Sequence, residues 1–180
     1  MFSERLEKRV SLTVSSMDNF LGLLRIRIRR GVNLARRDFR SSDPYVIIKF
    51  GKQKLKTHVV NNTLNPEWNE DLTLCITEKN KAHRIILKVY DKDTFSRDDY
   101  MGEAEFEILP LLHAVPIMRS FSGSIPSGTI IMSVIPNRLN FLAEESCIRW
   151  VDSQVVQDMV LRLRNVECGE VELQLKWIDA

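Results

Sequence analysis

The stretch Leu23-Leu24-Arg25-Ile26-Arg27-Ile28-Arg29-Arg30 sets the fold class. Leu24, Ile26 and Ile28 alternate with Arg25, Arg27 and Arg29, the period of two expected of a half-buried strand whose successive side chains point to opposite faces of a sheet. Similar strands are read downstream at Tyr45–Phe50, Leu55–Val60, Asp71–Ile76, Arg84–Tyr90 and Glu103–Ile108, and two more close the chain at Gln154–Arg164 and Val171–Trp177. In the last, Val171, Leu173, Leu175 and Trp177 share one face and Glu172, Gln174 and Lys176 the other. Cys168-Gly169 marks the hairpin turn between these two strands. Eight strands spaced by turn signals, with no convincing long helical period, predict an all-β fold, an eight-stranded antiparallel β-sandwich.

One segment interrupts the pattern. Residues 109–153 are rich in Ser, Gly, Pro and Asn, yet carry Ile130-Ile131-Met132, Phe141-Leu142 and Ile148-Arg149-Trp150. A connection of this length is uncommon in a compact domain unless it is ordered or functional. The expectation is an ordered insert before the penultimate strand, packed on the sandwich with one or two strands of its own. The division expected is an N-terminal extension at 1–20 and one domain at 21–180. Within the extension, Phe2, Leu6, Val10 and Val14 recur every four residues among basic ones, so residues 1–16 are read either as a tail or as a short amphipathic helix at a membrane surface.

At 180 residues with 44% hydrophobic content the chain fits one domain with a substantial core. Cys75, Cys147 and Cys168 are scattered without metal-type spacing, which points to reduced thiols. No apolar run is long enough to cross a bilayer and the N-terminus has no apolar secretory segment, so the expected location is cytoplasmic, with peripheral membrane contact. A net charge of +2 and an acidic rim argue against nucleic acid. There is no nucleophile elbow, phosphate-cradling glycine loop or Cys/His zinc arrangement, and His58, His83 and His113 stand alone. An enzyme is not expected.

The chemistry lies in two aspartate clusters. Asp38 and Asp43 fall in RRDFRSSDPYV just before one strand, and Asp91, Asp93 and Asp99 fall in VYDKDTFSRDDYMG just after another. Aspartate favours turns for its own reasons. Five carboxylates on two loops at matching strand ends, however, repel one another unless something holds them. A hard cation with six to eight oxygen ligands does so, and Ca²⁺ is the natural choice.

SDPYV, the KQKLKT run, NTLNPEWNE and YDKDTFSRDDYMGE, in this order, resemble a C2 domain, closely from Leu21 to about Ile108 and loosely over the last two strands. LLRIRIRRGVNLARRDFRSSDPYV, LAEES and QDMVLRLRNVECGEVELQLKW narrow the resemblance to the plant CAR (C2-domain abscisic-acid-related) family, whose signature insertion matches the insert. The resemblance implies Ca²⁺ ligation by Asp38 and Asp43 of the first loop and Asp91, Asp93 and Asp99 of the third, with backbone oxygens at Arg37 and Lys92 and a minor contribution at Ser96. It implies docking on anionic phospholipid at the plasma membrane, with Phe39 and Phe95 inserting. It also implies a headgroup site at Tyr45, Lys52, Lys54, Lys56 and Trp68. The partners implied are abscisic acid receptors of the PYR/PYL group or, alternatively, a small GTPase served by an arginine from Arg29, Arg36 or Arg97. A nuclear pool is a further implication.

Overall fold

The computed structural model describes residues 20–38, 41–121 and 125–179. Within these, the chain forms strands β1 (Phe20–Val32), β2 (Pro44–Phe50), β3 (Gln53–Lys56), β4 (Glu67–Thr77), β5 (Ile85–Asp91) and β6 (Asp99–Phe106), helix α1 (Leu109–Ser120), and strands β7 (Ile130–Val134), β8 (Ser146–Val151), β9 (Gln154–Arg162) and β10 (Glu170–Asp179). Two antiparallel sheets face each other. One runs β4-β1-β10-β9-β8-β7 and the other β3-β2-β5-β6.

The alternation in the sequence becomes the core. Leu24, Ile26 and Ile28 of β1 are fully buried, as are Val46 and Ile48 of β2 and Leu87 and Val89 of β5. At about 1.5–3 kcal/mol for each large aliphatic side chain removed from water, these facing rows are the main force holding the sheets together. The arginines of β1 lie outside, where Arg27 pairs with Asp71 and Arg30 with Glu172.

Among the described residues the eight expected strands are all present, and the insert adds two of its own, as expected: β7 and β8, which extend the larger sheet past β9. The insert also contains a helix that strand periodicity did not announce. Pro110 stands in its first turn, where a missing N–H costs nothing, and Leu111, Ala114, Val115 and Met118 are buried along one face at helical spacing. Pro116 inside the helix disguises it in the sequence.

β3 ends earlier than expected. Beyond Lys56 the Thr57 hydroxyl accepts from the N–H of Val46, and the His58 N–H turns to the Glu70 carboxylate. The Thr57 and Val60 N–H groups still donate to the Val46 and Pro44 carbonyls, but the Thr57 hydroxyl and the Glu70 carboxylate take the N–H groups that a regular ladder to Val60 would use.

Two features of the smaller sheet shape one of its ends. Asp91 pairs in register with Pro44 of β2 and with Asp99 of β6. The β5–β6 ladder shifts between Lys88 and Tyr90, which opposes an extra β6 residue to β5. Gly102 lies in this bulge with φ +111°, and a Cβ there would stand 2.6 Å from Val166. Glycine is therefore required both by conformation and by space.

Candidate functional site at the loop edge

Register gathers Asp43, Asp91 and Asp99 at one edge of the smaller sheet, on strands that sit about 4.8 Å apart. Asp91 has the same parity as Ile85, Leu87 and Val89, so period two carries its carboxylate onto the core face, where it is 1% exposed. Its Oδ1 accepts from the Asp43 N–H at 2.5 Å. Its Oδ2 is buried and has no hydrogen-bond partner among the described residues. Burial pushes the Asp91 carboxyl above the ordinary carboxylate range against the pull of the Asp43 N–H and the Ser42 hydroxyl, and the charges of Asp38 and Asp43 push it further.

The two loops are tied together by backbone. The Lys92 N–H donates to the Asp43 carbonyl at 3.0 Å, and Asp43 Oδ1 accepts from the Asn62 N–H at 2.6 Å. The Asp38 N–H donates to the Ser41 carbonyl, closing the first loop on itself. Asp38 and Asp99 are exposed and Asp93 half-buried. Among the described residues, no three acidic, His or Cys side chains stand close enough together to form a metal-ligating group. The five aspartates thus share one edge without converging on one point. The donor set nevertheless suits a hard cation, since every side chain offers oxygen and the best-buried one has an oxygen to spare.

Arg37 is held by its side chain. Its guanidinium grips Glu167 with two bonds, at 2.7 and 3.1 Å, and its Nε donates to the Tyr100 carbonyl at 2.8 Å. This fork fixes the first loop against the turn between β9 and β10.

Asp98, which the motif pattern passes over in favour of its neighbour Asp99, organises the third loop. It accepts from the Lys92 ammonium (2.8 Å), the Tyr45 hydroxyl (2.5 Å) and the Asp93 N–H (3.2 Å). Those donors, Lys92 first, hold its carboxyl down at about 2. The Asp98-Asp99 doublet is the available signal, but nothing in the sequence says which of the two turns inward.

The expected headgroup residues separate. Lys54 and Lys56 share the exposed face of β3, and Lys49 stands opposite Lys54 on β2. The Lys56 ammonium lies 3.6 Å from the centre of the Tyr45 ring, which stacks on Tyr90. Lys52 is exposed in the turn before β3, and His58, just past the strand, pairs with Glu70. Trp68 is 3% exposed and its indole N–H donates to the Pro44 carbonyl, so its ring is a core element bracing β2 rather than a surface for a ligand. Phe95 is fully exposed at the tip of the third loop. Phe39 lies outside the described residues.

A family model of the C2 domain matches residues 22–122. Over 167 residues the chain is 62% identical to Protein C2-DOMAIN ABA-RELATED 4 of Arabidopsis thaliana, covering 93% of this chain and 92% of that protein. The chain belongs to the C2-domain abscisic-acid-related family. It is also 53% identical over 163 residues to a protein of Oryza sativa subsp. japonica named GTPase activating protein 1, with 91% of this chain and 95% of that one covered. Among solved structures, a calcium-bound tandem of C2 domains from Extended-Synaptotagmin 2 matches with a TM-score of 0.60 at 20% identity, covering 88% of this chain and 46% of that one. That likeness confirms the C2-type sandwich. Among the described residues no helix is long and apolar enough to cross a membrane.

Proposed function

We propose that this C2 protein is a calcium-dependent phospholipid-binding adaptor in abscisic acid signalling. In this reading the loop edge docks on anionic lipid at the cytoplasmic face of the plasma membrane, and the chain recruits a receptor of the PYR/PYL group there. The observation that carries the proposal is the Asp91 carboxylate, buried between two acidic loops with one oxygen unpartnered among the described residues, while Phe95 of the third loop stands wholly in water. A group so placed destabilises the protein unless positive charge joins it.

Asp38, Asp43, Asp91, Asp93 and Asp99 would hold Ca²⁺, with backbone oxygens at Arg37 and Lys92. Bound there, Ca²⁺ supplies positive charge to an edge that otherwise repels anionic lipid. Each remaining part is work for the chain itself. Asp98 keeps the third loop closed on Tyr45 and Lys92, Phe95 enters the interfacial layer, and Lys54, Lys56 and Lys49 attract anionic headgroups at about 1 kcal/mol each. Reversible attachment of moderate strength follows, not permanent anchoring.

The recruiting step is tested by sedimenting a PYR/PYL receptor with phosphatidylserine vesicles. The receptor should pellet only when this chain and Ca²⁺ are both present. A receptor that pellets without the chain, or never, removes the adaptor role.

A second reading, regulation of a small GTPase, is favoured by the name of the rice relative. Arg36 and Arg97 are exposed, whereas Arg29 is paired with Asp158 at 2.9 Å, so the first two are the better candidates for a stabilising arginine. A GTP turnover assay with Arg36→Ala and Arg97→Ala decides this reading: unchanged turnover on adding the chain rules it out.

A further inference from the structure

A second site lies at the other end of β5 from the aspartates, roughly 20 Å away by strand length. There the insert folds over the sandwich and leaves a cavity of about 290 Å³. Its walls are mainly apolar, from Phe106 of β6, Phe141 and Leu142 of the insert, and Leu161 of β9. The insert loop is pinned in place, because the Arg162 N–H donates to the Phe141 carbonyl, the Ala143 N–H donates to the Val160 carbonyl, and the Arg164 guanidinium lies over the Phe141 ring. The cavity is therefore a fixed feature of the fold.

Gln157 of β9 also lines it and is completely buried. Its orientation follows from its neighbour. The Ser146 hydroxyl gives its proton to the Asp158 carbonyl at 2.7 Å, so Ser146 Oγ can only accept, and the atom facing it at 2.9 Å is the Gln157 amide nitrogen. Gln157 Oε1 is left with no partner among the described residues. The other polar groups of the lining are already engaged. Asn137 and Asn140 bond their own loop, and Arg84 at the mouth is paired with Glu105 and Glu107. With one positive and two negative groups, that mouth disfavours an anion.

We propose that this cavity is a binding site for a small, neutral ring compound that carries a single hydroxyl or N–H donor, with the donor on Gln157 Oε1 and the ring between Phe106, Phe141 and Leu161. The volume is close to the lower end of small-molecule pockets and suits one or two fused rings. The buried acceptor selects for a donor, and the apolar walls select against a second polar group. This proposal is independent of the calcium reading, since none of the five aspartates lines the cavity.

The test uses indole as probe and indene, which has the same ring shape but no N–H, as its control. Both are titrated into the full chain while amide shifts are followed by NMR. Indole should move resonances around Leu142, Gln157 and Leu161 and bind about tenfold more tightly than indene, the worth of one buried hydrogen bond. Gln157→Leu keeps the volume and should abolish the difference by weakening indole alone. Leu142→Trp fills the cavity from its half-exposed side and should remove binding of both, with thermal melting used to verify that each variant folds. Shifts absent from the cavity up to the solubility of indole, or equal affinities for indole and indene in the unaltered protein, would overturn the proposal.

Discussion

Replacing Asp91 by asparagine should stabilise the calcium-free protein and at the same time remove its response to calcium. The substituted side chain keeps the oxygen that accepts from the Asp43 N–H. It exchanges the unpartnered Oδ2 for an amide nitrogen beside two carboxylates, and it removes a charge that is 1% exposed. A buried acceptor without a partner costs roughly 1–3 kcal/mol, of which an imperfectly placed amide recovers about 1–2. In a domain of this size 1 kcal/mol moves the melting temperature by about 2–4 °C, so Asp91→Asn should melt about 2–8 °C higher in chelator. Calcium at about a hundred times its dissociation constant adds roughly 2.7 kcal/mol to the native protein and nothing to a variant that cannot bind, which reverses the order. Circular dichroism melts in chelator and in Ca²⁺ measure both effects. The sign with pH follows from the same group. Its folded pKa is raised, so the native state holds the proton more readily than the unfolded chain. In chelator the stability this confers is fully present below the unfolded carboxylate value near 4, and it is lost as pH rises through the raised value. Asp91→Asn should lack that loss. A variant that melts below the wild type in chelator, or that gains as much from calcium, would show that the buried charge neither strains this edge nor serves the ion.

Phe95→Ala should leave the melting temperature unchanged, because the ring touches only water, and should weaken binding to phosphatidylserine vesicles by about ten- to a hundredfold, measured by sedimentation. Tyr45→Phe deletes the hydroxyl bond to Asp98 and should cost about 1.5–3 kcal/mol of stability by chemical denaturation, as expected for a bond to a charged group. The folded pKa of Asp98 is depressed to about 2, so its contribution is present above the unfolded value near 4 and lost as pH falls toward 2; denaturation of Asp98→Asn over that range should show a correspondingly shallower acid loss. Lys54→Ala with Lys56→Ala should weaken anionic vesicle binding by about 2 kcal/mol and flatten its dependence on salt, with calcium affinity in solution unchanged.

Much of the fold was legible in the sequence because period two is a strong signal wherever one face is buried. The parity that makes Leu24, Ile26 and Ile28 core residues also places Asp91 on the core face, and the C2-like order of motifs assigned the loops. What was not legible depends on partners distant in the chain. Helix α1 hides its apolar spacing behind Pro116. The end of β3 depends on the Thr57 hydroxyl taking an N–H that another strand residue would otherwise have shared. The inward turn of Asp98 in place of Asp99 depends on where Lys92 and Tyr45 lie in space, and the burial of Trp68, which the resemblance assigned to the headgroup site, depends on which face of β4 meets the core.

Whether calcium switches this chain onto lipid is answered by co-sedimentation with phosphatidylserine vesicles, in Ca²⁺ and in chelator, comparing the native chain with Asp91→Asn/Asp93→Asn. The native chain should pellet only in Ca²⁺, and the double variant, although folded, should stay in the supernatant in both. Equal pelleting of the two proteins, with or without Ca²⁺, would mean that the aspartate edge is not a calcium switch.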